Sequence, residues 1–151
     1  MAKQSFTGVT CSYIFDEASG MRDQLEQTIL EELKAKEYPL KAAVKEITAG
    51  GIFFGTKEQC VVIEVDNEAQ IAIASTAVGS YLYVEAHLMV QEKSAIFAAL
   101  SALTDNAFKQ QKRNAMFAAA RQSMETAFAM LKLKQSNSGY IADKEKTKSE
   151  N

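Results

Sequence analysis

Met21, Leu25, Ile29 and Leu33 recur every four residues, Leu30 widens their stripe, and Asp23, Glu26, Glu31, Glu32 and Lys34 take the other side. Apolar positions at that spacing line one face of a helix, and the pattern predicts one from about Gly20 to Lys36. Asp16 or Ser19 can accept from the free N–H groups of its first turn. Pro39 closes it, because the residue before a proline is pushed out of helical geometry. Ahead of the helix the first fifteen residues show no clear period, although Phe6, Val9, Tyr13, Ile14 and Phe15 suit an edge strand.

From about Ala42 to Val90 the pattern becomes that of strands. Val44, Ile47, Ile52, Phe53 and Phe54 form a first strand or strand pair, with Gly50-Gly51 marking a bulge or bend. After a turn at Gly55-Thr56-Lys57-Glu58 comes the β-branched run Cys60 to Val65. Asp66-Asn67-Glu68 reads as a hairpin loop, with Asn67 suited to the left-handed conformation. Ala69 to Thr76 returns, Ala77-Val78-Gly79 turns, and Ser80 to Val90 runs back. Short loops between consecutive strands imply an antiparallel meander.

After Gln91 the period is helical again. Ser94 caps a helix carrying Ile96, Phe97, Leu100 and Leu103. Asp105 caps another that runs to about Lys134, with Phe108, Phe117, Ala120, Met124, Ala127, Phe128 and Leu131 on one side; Thr104-Asp105 is a break or only a kink. From Gln135 onward too little apolar surface remains to offset the entropy of ordering the chain. The expectation is a single α+β domain over residues 1–134: an N-terminal helix, an antiparallel sheet of about four strands, and two C-terminal helices packed on one sheet face. Residues 135–151 are expected to be a disordered tail.

Alternation then sorts the sheet into two faces. Val61, Ile63, Val65, Ile71, Ile73, Leu82, Val84, Ala86, Leu88 and Val90 make one continuous aliphatic face for the C-terminal helices to cover. The other face carries Cys60, Val62 and Glu64, then Ala72 and Ala74, then Tyr81, Tyr83, Glu85, His87 and Met89. Two alanines in a middle strand leave a shallow groove walled by Tyr81 and Tyr83. Either the N-terminal segment or a second subunit covers this face, or it is a groove for a peptide or small apolar ligand. In the second case Glu85 and His87 are its polar anchors. Tyr81, Tyr83, Glu85 and His87 are therefore the candidate binding residues.

Charge narrows the partners. Seventeen Lys and Arg against nineteen Asp and Glu give a net charge of -2, without the positive balance of a protein that neutralises many phosphates. Nucleic acid is not an expected partner. Lys109, Lys112 and Arg113 form one small basic patch, read as a solvated helix face. The most apolar stretch, Ala115 to Leu133, is interrupted by Arg121, Glu125 and Lys132, so it reads as a core helix and no membrane insertion is expected. No export signal is apparent, Cys11 and Cys60 read as free thiols, and the cytoplasm is the expected location.

Known chemistry is mostly missing. Gly50-GIFF-Gly55-Thr56-Lys57 approaches a phosphate-binding loop, but Thr and Lys are reversed and a strand follows where a helix is needed. One histidine and two distant cysteines do not make a zinc site, and no metal or cofactor is expected. Cys60, His87 and Glu85 are the one histidine-based nucleophilic arrangement available, and Glu64 with Glu85 the one pair of sheet carboxylates. No local motif supports either, and no catalytic residue is assigned.

The run GGIFFGTKEQCVVIEVDNEAQIAIASTAVGSYLYVEAHLMV, residues 50–90, resembles the Gly- and aromatic-rich β-meander of a group of uncharacterised bacterial proteins. That resemblance implies no activity. Size, acidity and helix–sheet–helix order are similar to those of small acidic bacterial secretion chaperones, which insert a helix after their third strand where this chain has no helical pattern. The leading expectation is a non-enzymatic interaction module, homodimeric, with a protein or peptide partner. A small ligand-binding domain or enzyme using the Tyr81/Tyr83/Glu85/His87 face, or a secretion-chaperone-like protein, are the alternatives.

Overall fold

A computed structural model describes residues 4–37, 41–49, 56–91 and 107–136; at 4–6, 47–49, 56–58, 91 and 107 it describes the backbone alone. Strand β1 (Gln4–Asp16) leads through a single 3-10 turn (Ser19–Met21) into helix α1 (Arg22–Ala35). Strands β2 (Lys41–Ala49), β3 (Thr56–Glu64), β4 (Ala69–Val78) and β5 (Tyr81–Gln91) follow. Helix α2 (Ala107–Met130) and the two-residue strand β6 (Lys134–Gln135) come last. The sheet is antiparallel throughout, in the order β2-β3-β4-β5-β1-β6.

The class is α+β, but the expected layout of an N-terminal helix, about four strands and two C-terminal helices is wrong. Among the described residues there are six strands, and the first element is a strand rather than a helix. Two α-helices are present among the described residues, one of them C-terminal. Strand β1 also sits between β5 and β6 instead of at an edge or over a face. Its period is hard to read for two physical reasons. Gly8, at φ 91, stands in a bulge that breaks the alternation, and apolar Ile14 points away from the core side defined by Cys11, Tyr13 and Phe15. The expected helix from Ser94 to Leu103, the Thr104-Asp105 junction, the strand residues Ile52 to Phe54 and the glycines 50, 51 and 55 lie outside the described residues. Of the expected tail, Gln135 pairs with Phe15 and the Ser136 N–H donates to the Ile14 carbonyl; residues 137–151 also lie outside them.

The hairpin loops differ from the expected chemistry as well. Asn67 is not left-handed. The Asp66 carboxylate organises that loop instead, its Oδ1 accepting from the N–H groups of Glu68 and Ala69 at 2.7 and 2.9 Å. Strand β4 continues through Ala77 and Val78, so the turn is the pair Gly79-Ser80. Gly79 has φ 59 while Ser80 does not share a positive φ, the pattern of a two-residue hairpin with glycine first. Neither Asp16 nor Ser19 caps α1, whose start has no side-chain cap bond.

The aliphatic face is as expected. Val61, Ile63, Ile71, Ile73, Leu82, Val84 and Leu88 are all fully buried. Leu25, Ile29 and Leu33 of α1 and Phe117, Ala120, Met124, Ala127 and Phe128 of α2 join the same core. Phe128 packs its ring on Tyr13 and Phe15, with centroids at 4.8 and 4.5 Å. Phe108 does not belong to that stripe and is 76% exposed. Nine residues separate it from Phe117, which at 100° per residue is half a turn.

Polar contacts tie each helix to the sheet. Arg113 on α2 is buried, and its Nε and Nη2 donate to Asp66 Oδ2 and Oδ1 at 2.8 and 3.3 Å, with Nη2 also donating to Glu68 Oε2 at 3.2 Å. Lys109 Nζ donates to the same Glu68 oxygen at 3.0 Å. The expected basic patch is therefore mostly an anchor to the acidic β3–β4 loop; Lys112 alone of the three is exposed. On α1, Arg22 donates to the Gln59 carbonyl, and buried Glu26 accepts from Arg22 Nε and Gln59 Nε2. Burial pushes the Glu26 carboxyl up in spite of these donors. No described helix is long and apolar enough to cross a membrane.

Two stability measurements check this account. Phe128→Ala removes the ring that joins α2 to β1 and should cost about 3–5 kcal/mol in a urea titration; a loss under 1 kcal/mol, within the range of ordinary surface changes, would contradict the packing. Burial alone would raise Asp66, but the Arg113 guanidinium and the Glu68 and Ala69 N–H groups outweigh it and hold the carboxyl below its ordinary value. A lowered carboxyl adds stability that is complete above the unfolded value, about 4, and is lost as pH falls through the lower folded one. Asp66→Asn should thus cost about 1.5–3 kcal/mol at pH 7 and progressively less as the pH drops below about 4. A deficit that stays constant with pH would mean that the ionised carboxylate is not the source.

Candidate functional site

Tyr81, Tyr83, Glu85 and His87 share the outer face of β5, as their alternation implies. Across β4 they stand opposite Val78, Thr76, Ala74 and Ala72 in that order. Across β1, Tyr83, Glu85 and His87 stand opposite Ile14, Ser12 and Thr10. Strand β3 adds Cys60 beside Ala74 and Val62 beside Ala72. The low alanine row is thus in the register that the sequence suggests.

The two ends of this face differ. Cys60, Val62, Ala72 and Met89 are buried, with Ala72 at 7%, so the groove is closed at Ala72, while Ala74 is half-buried. The expected cover does not come from the N-terminal segment, which lies in the sheet plane as β1. Beside the closed end Glu85 Oε1 and His87 Nε2 meet at 3.0 Å, both side chains half-buried. Strand β4 stands between Cys60 and these two residues. At the opposite end Val78 is 59% and Tyr81 42% exposed.

A cavity of about 550 Å³ lies beside Tyr81, between the β4–β5 turn, the end of β1 and the end of α2. Three local devices shape it. The Ser80 carbonyl accepts from the N–H groups of both Ala18 and Ser19, at 2.9 and 3.2 Å, pinning the 3-10 turn to the hairpin. Glu17 turns the chain out of β1 at φ 50. Helix α2 ends with Lys132 at φ 54, its N–H donating to Ala129 and that of Leu133 to Phe128, a helix stop that normally carries glycine. Asp16 and Glu17 on one side and Lys132 and Lys134 on the other give the lining both signs of charge. It holds no histidine or cysteine, and among the described residues no three metal-binding side chains gather anywhere. Such a lining can hydrogen-bond and ion-pair with a ligand.

A second polar group escaped the sequence reading. The Tyr13 hydroxyl donates to Glu125 Oε1 at 3.0 Å and accepts from Arg121 Nε at 3.2 Å. Burial, reinforced by neighbouring Cys11 and Glu125, pushes the hydroxyl well above its ordinary value. Burial likewise pushes the Cys11 thiol up, away from the thiolate that a nucleophile needs. Arg121 and Glu125 could be paired from their four-residue spacing, but nothing local says which strand they meet.

The cavity's shape depends on strain at Lys132. A left-handed conformation costs an L-residue about 1–2 kcal/mol, and glycine forfeits about 0.5–1 kcal/mol through its freer unfolded chain. Lys132→Gly should therefore raise stability by about 0.5–1 kcal/mol, read from the urea midpoint; a loss would show that the lysine side chain contributes more than the strain it imposes.

Searches against protein-family models and curated proteins return no match to this chain.

Proposed function

We propose that the protein is a non-enzymatic interaction module that self-associates and receives a protein or peptide partner at the open end of the outer sheet face. One observation carries this reading: Val78 and Tyr81 are exposed cross-strand neighbours, with Tyr83 next on the same face. A contiguous exposed apolar patch can mark an interaction site. Tyrosine suits it, joining a large apolar ring to a hydroxyl that finds a partner when covered. The adjoining cavity, with its carboxylates and lysines, supplies the polar rim that interface cores have. Against a small-molecule or catalytic site at Glu85 and His87 stands the burial of Ala72 and Val62 beside them.

Peptides selected from a display library on the full chain test this. Enriched peptides should be rich in apolar and aromatic residues, and a Val78→Ser, Tyr81→Ser variant should bind them at least about tenfold more weakly, a loss of about 1.4 kcal/mol. The variant's melting temperature should barely change, since both residues are exposed. Equal binding by the variant would place recognition elsewhere and end this reading.

A further inference from the structure

Strand β1 has one edge paired along most of its length and another paired only at its end. Strand β5 takes the first. On the second, β6 pairs with Phe15 and Asp16, and the Ile14 carbonyl accepts from Ser136 at 2.8 Å. Among the described residues no other strand flanks this outer edge. Toward the N-terminus Thr7, Gly8 and Val9 together oppose Leu88, in a bulge held by Thr7 Oγ1, which donates to the Leu88 carbonyl and accepts from Val9 N–H. Among the described residues the bulge and β6 leave a regular window without a strand partner over residues 10–12, and Cys11 is its centre.

Backbone direction restricts what can fill that window. Alternate residues of a strand turn both backbone groups to the same edge. Because the Ile14 carbonyl faces outward, so do the backbone groups of Ser12 and Thr10. We infer that a second copy of this chain adds its own β1 antiparallel to this edge, about a twofold axis at Cys11, joining the two sheets into one. This rests on the reading that the chain self-associates, and it names the surface that does so. In that register Thr10 of each copy stands opposite Ser12 of the other and exchanges both hydrogen bonds with it. An axis at Ser12 would need Ile14, already bonded to Ser136, and an axis at Thr10 would need Gly8, inside the bulge. An axis between residues would set outward groups against inward ones. One window is thus its own complement, as an isologous contact requires. The α2 flank joined to β1 through Tyr13 adds to it. Ala115, Ala118 and Ala119 line a groove of about 570 Å³ there with Arg121 and Glu125, small residues and both charges that a twofold mate can meet.

At the axis the two Cys11 residues form a non-hydrogen-bonded pair, with Cα atoms about 4.5 Å apart, within reach of a disulfide. Diamide as oxidant would take two electrons and two protons from the two thiols as the S–S bond forms. A Cys60→Ser chain should then cross-link through Cys11 at least about a hundredfold faster folded than in urea, because pairing sets a millimolar effective concentration against a micromolar bulk one. Sedimentation of the full chain gives a second readout. The wild type should be a dimer, and Ser12→Pro, which deletes an outward N–H and leaves the β5 ladder intact, should be a folded monomer. A monomeric wild type overturns self-association and with it this inference. A dimer with slow Cys11 cross-linking overturns this edge and leaves self-association standing, and so does a dimer that survives in folded Ser12→Pro. A chain ended after Ser136 that dimerises where the wild type does not would show its own C-terminal residues on the edge, and would also overturn the inference.

Discussion

An aliphatic face of valine, isoleucine and leucine runs across β3, β4 and β5, and shielding it from water is the constraint to which the other elements answer. Helix packing alone is non-directional; it would press two apolar stripes onto the sheet without fixing where. Arginines supply the position. Arg113 holds α2 to the β3–β4 loop, and Arg22 with Glu26 holds α1 to Gln59 of β3. Each contact reaches β3 or the loop that follows it, so both helices are located against the same strand. The stacking of Phe128 on Tyr13 and Phe15 then fixes the far end of α2 over β1.

Much of this was legible in the residue pattern. The run from Cys60 to Val90 alternates cleanly because one of its faces is fully buried, and a one-residue slip would have turned that face to water. The registers of Ala72 with His87 and Ala74 with Glu85 follow from it. Helix α1 was legible for the same reason, with a period of four and a proline beyond it. What failed was non-local. Strand β1 finds its partner in β5, and no periodicity announces a mate so distant in sequence. Arg113 looks like its neighbour Lys112 until Asp66 is seen beside it, and nothing local distinguishes Asp66 as the acceptor that organises loop and helix together. Hydrophobicity alone puts Phe108 on the apolar stripe, whereas its nine-residue distance from Phe117 puts it on the other side of the helix.

The candidate site was legible as a set of residues and not as a shape. Tyr81, Tyr83, Glu85 and His87 do share a face, yet buried Ala72 closes one end of it. His87 and Glu85 meet each other beside buried Ala72, while Tyr81 stands with Val78 at an open end bordered by Glu17 and Lys132. Which end is open depends on where the ends of β1 and α2 arrive, and both are set by tertiary contacts. Two non-glycine residues in left-handed conformations border that end, consistent with the tendency of backbone strain to gather where a surface is put to use.

The place of β1 also has a consequence in time. Phe15 pairs with Leu82, 67 residues later, and Gln4 with Gln91, 87 residues later. At a synthesis rate of about 5–20 residues per second, β1 leaves the ribosome on the order of 3–17 s before its mate exists. Throughout that interval Tyr13, Ile14 and Phe15 belong to a strand with neither edge paired and no core to enter. The meander β2 to β5, whose neighbours are joined by short loops, can assemble as it emerges. Strand β1 is therefore made before the meander it joins and is the last of these strands to find its place, so a nascent chain carries an apolar strand without its mate until β5 has emerged.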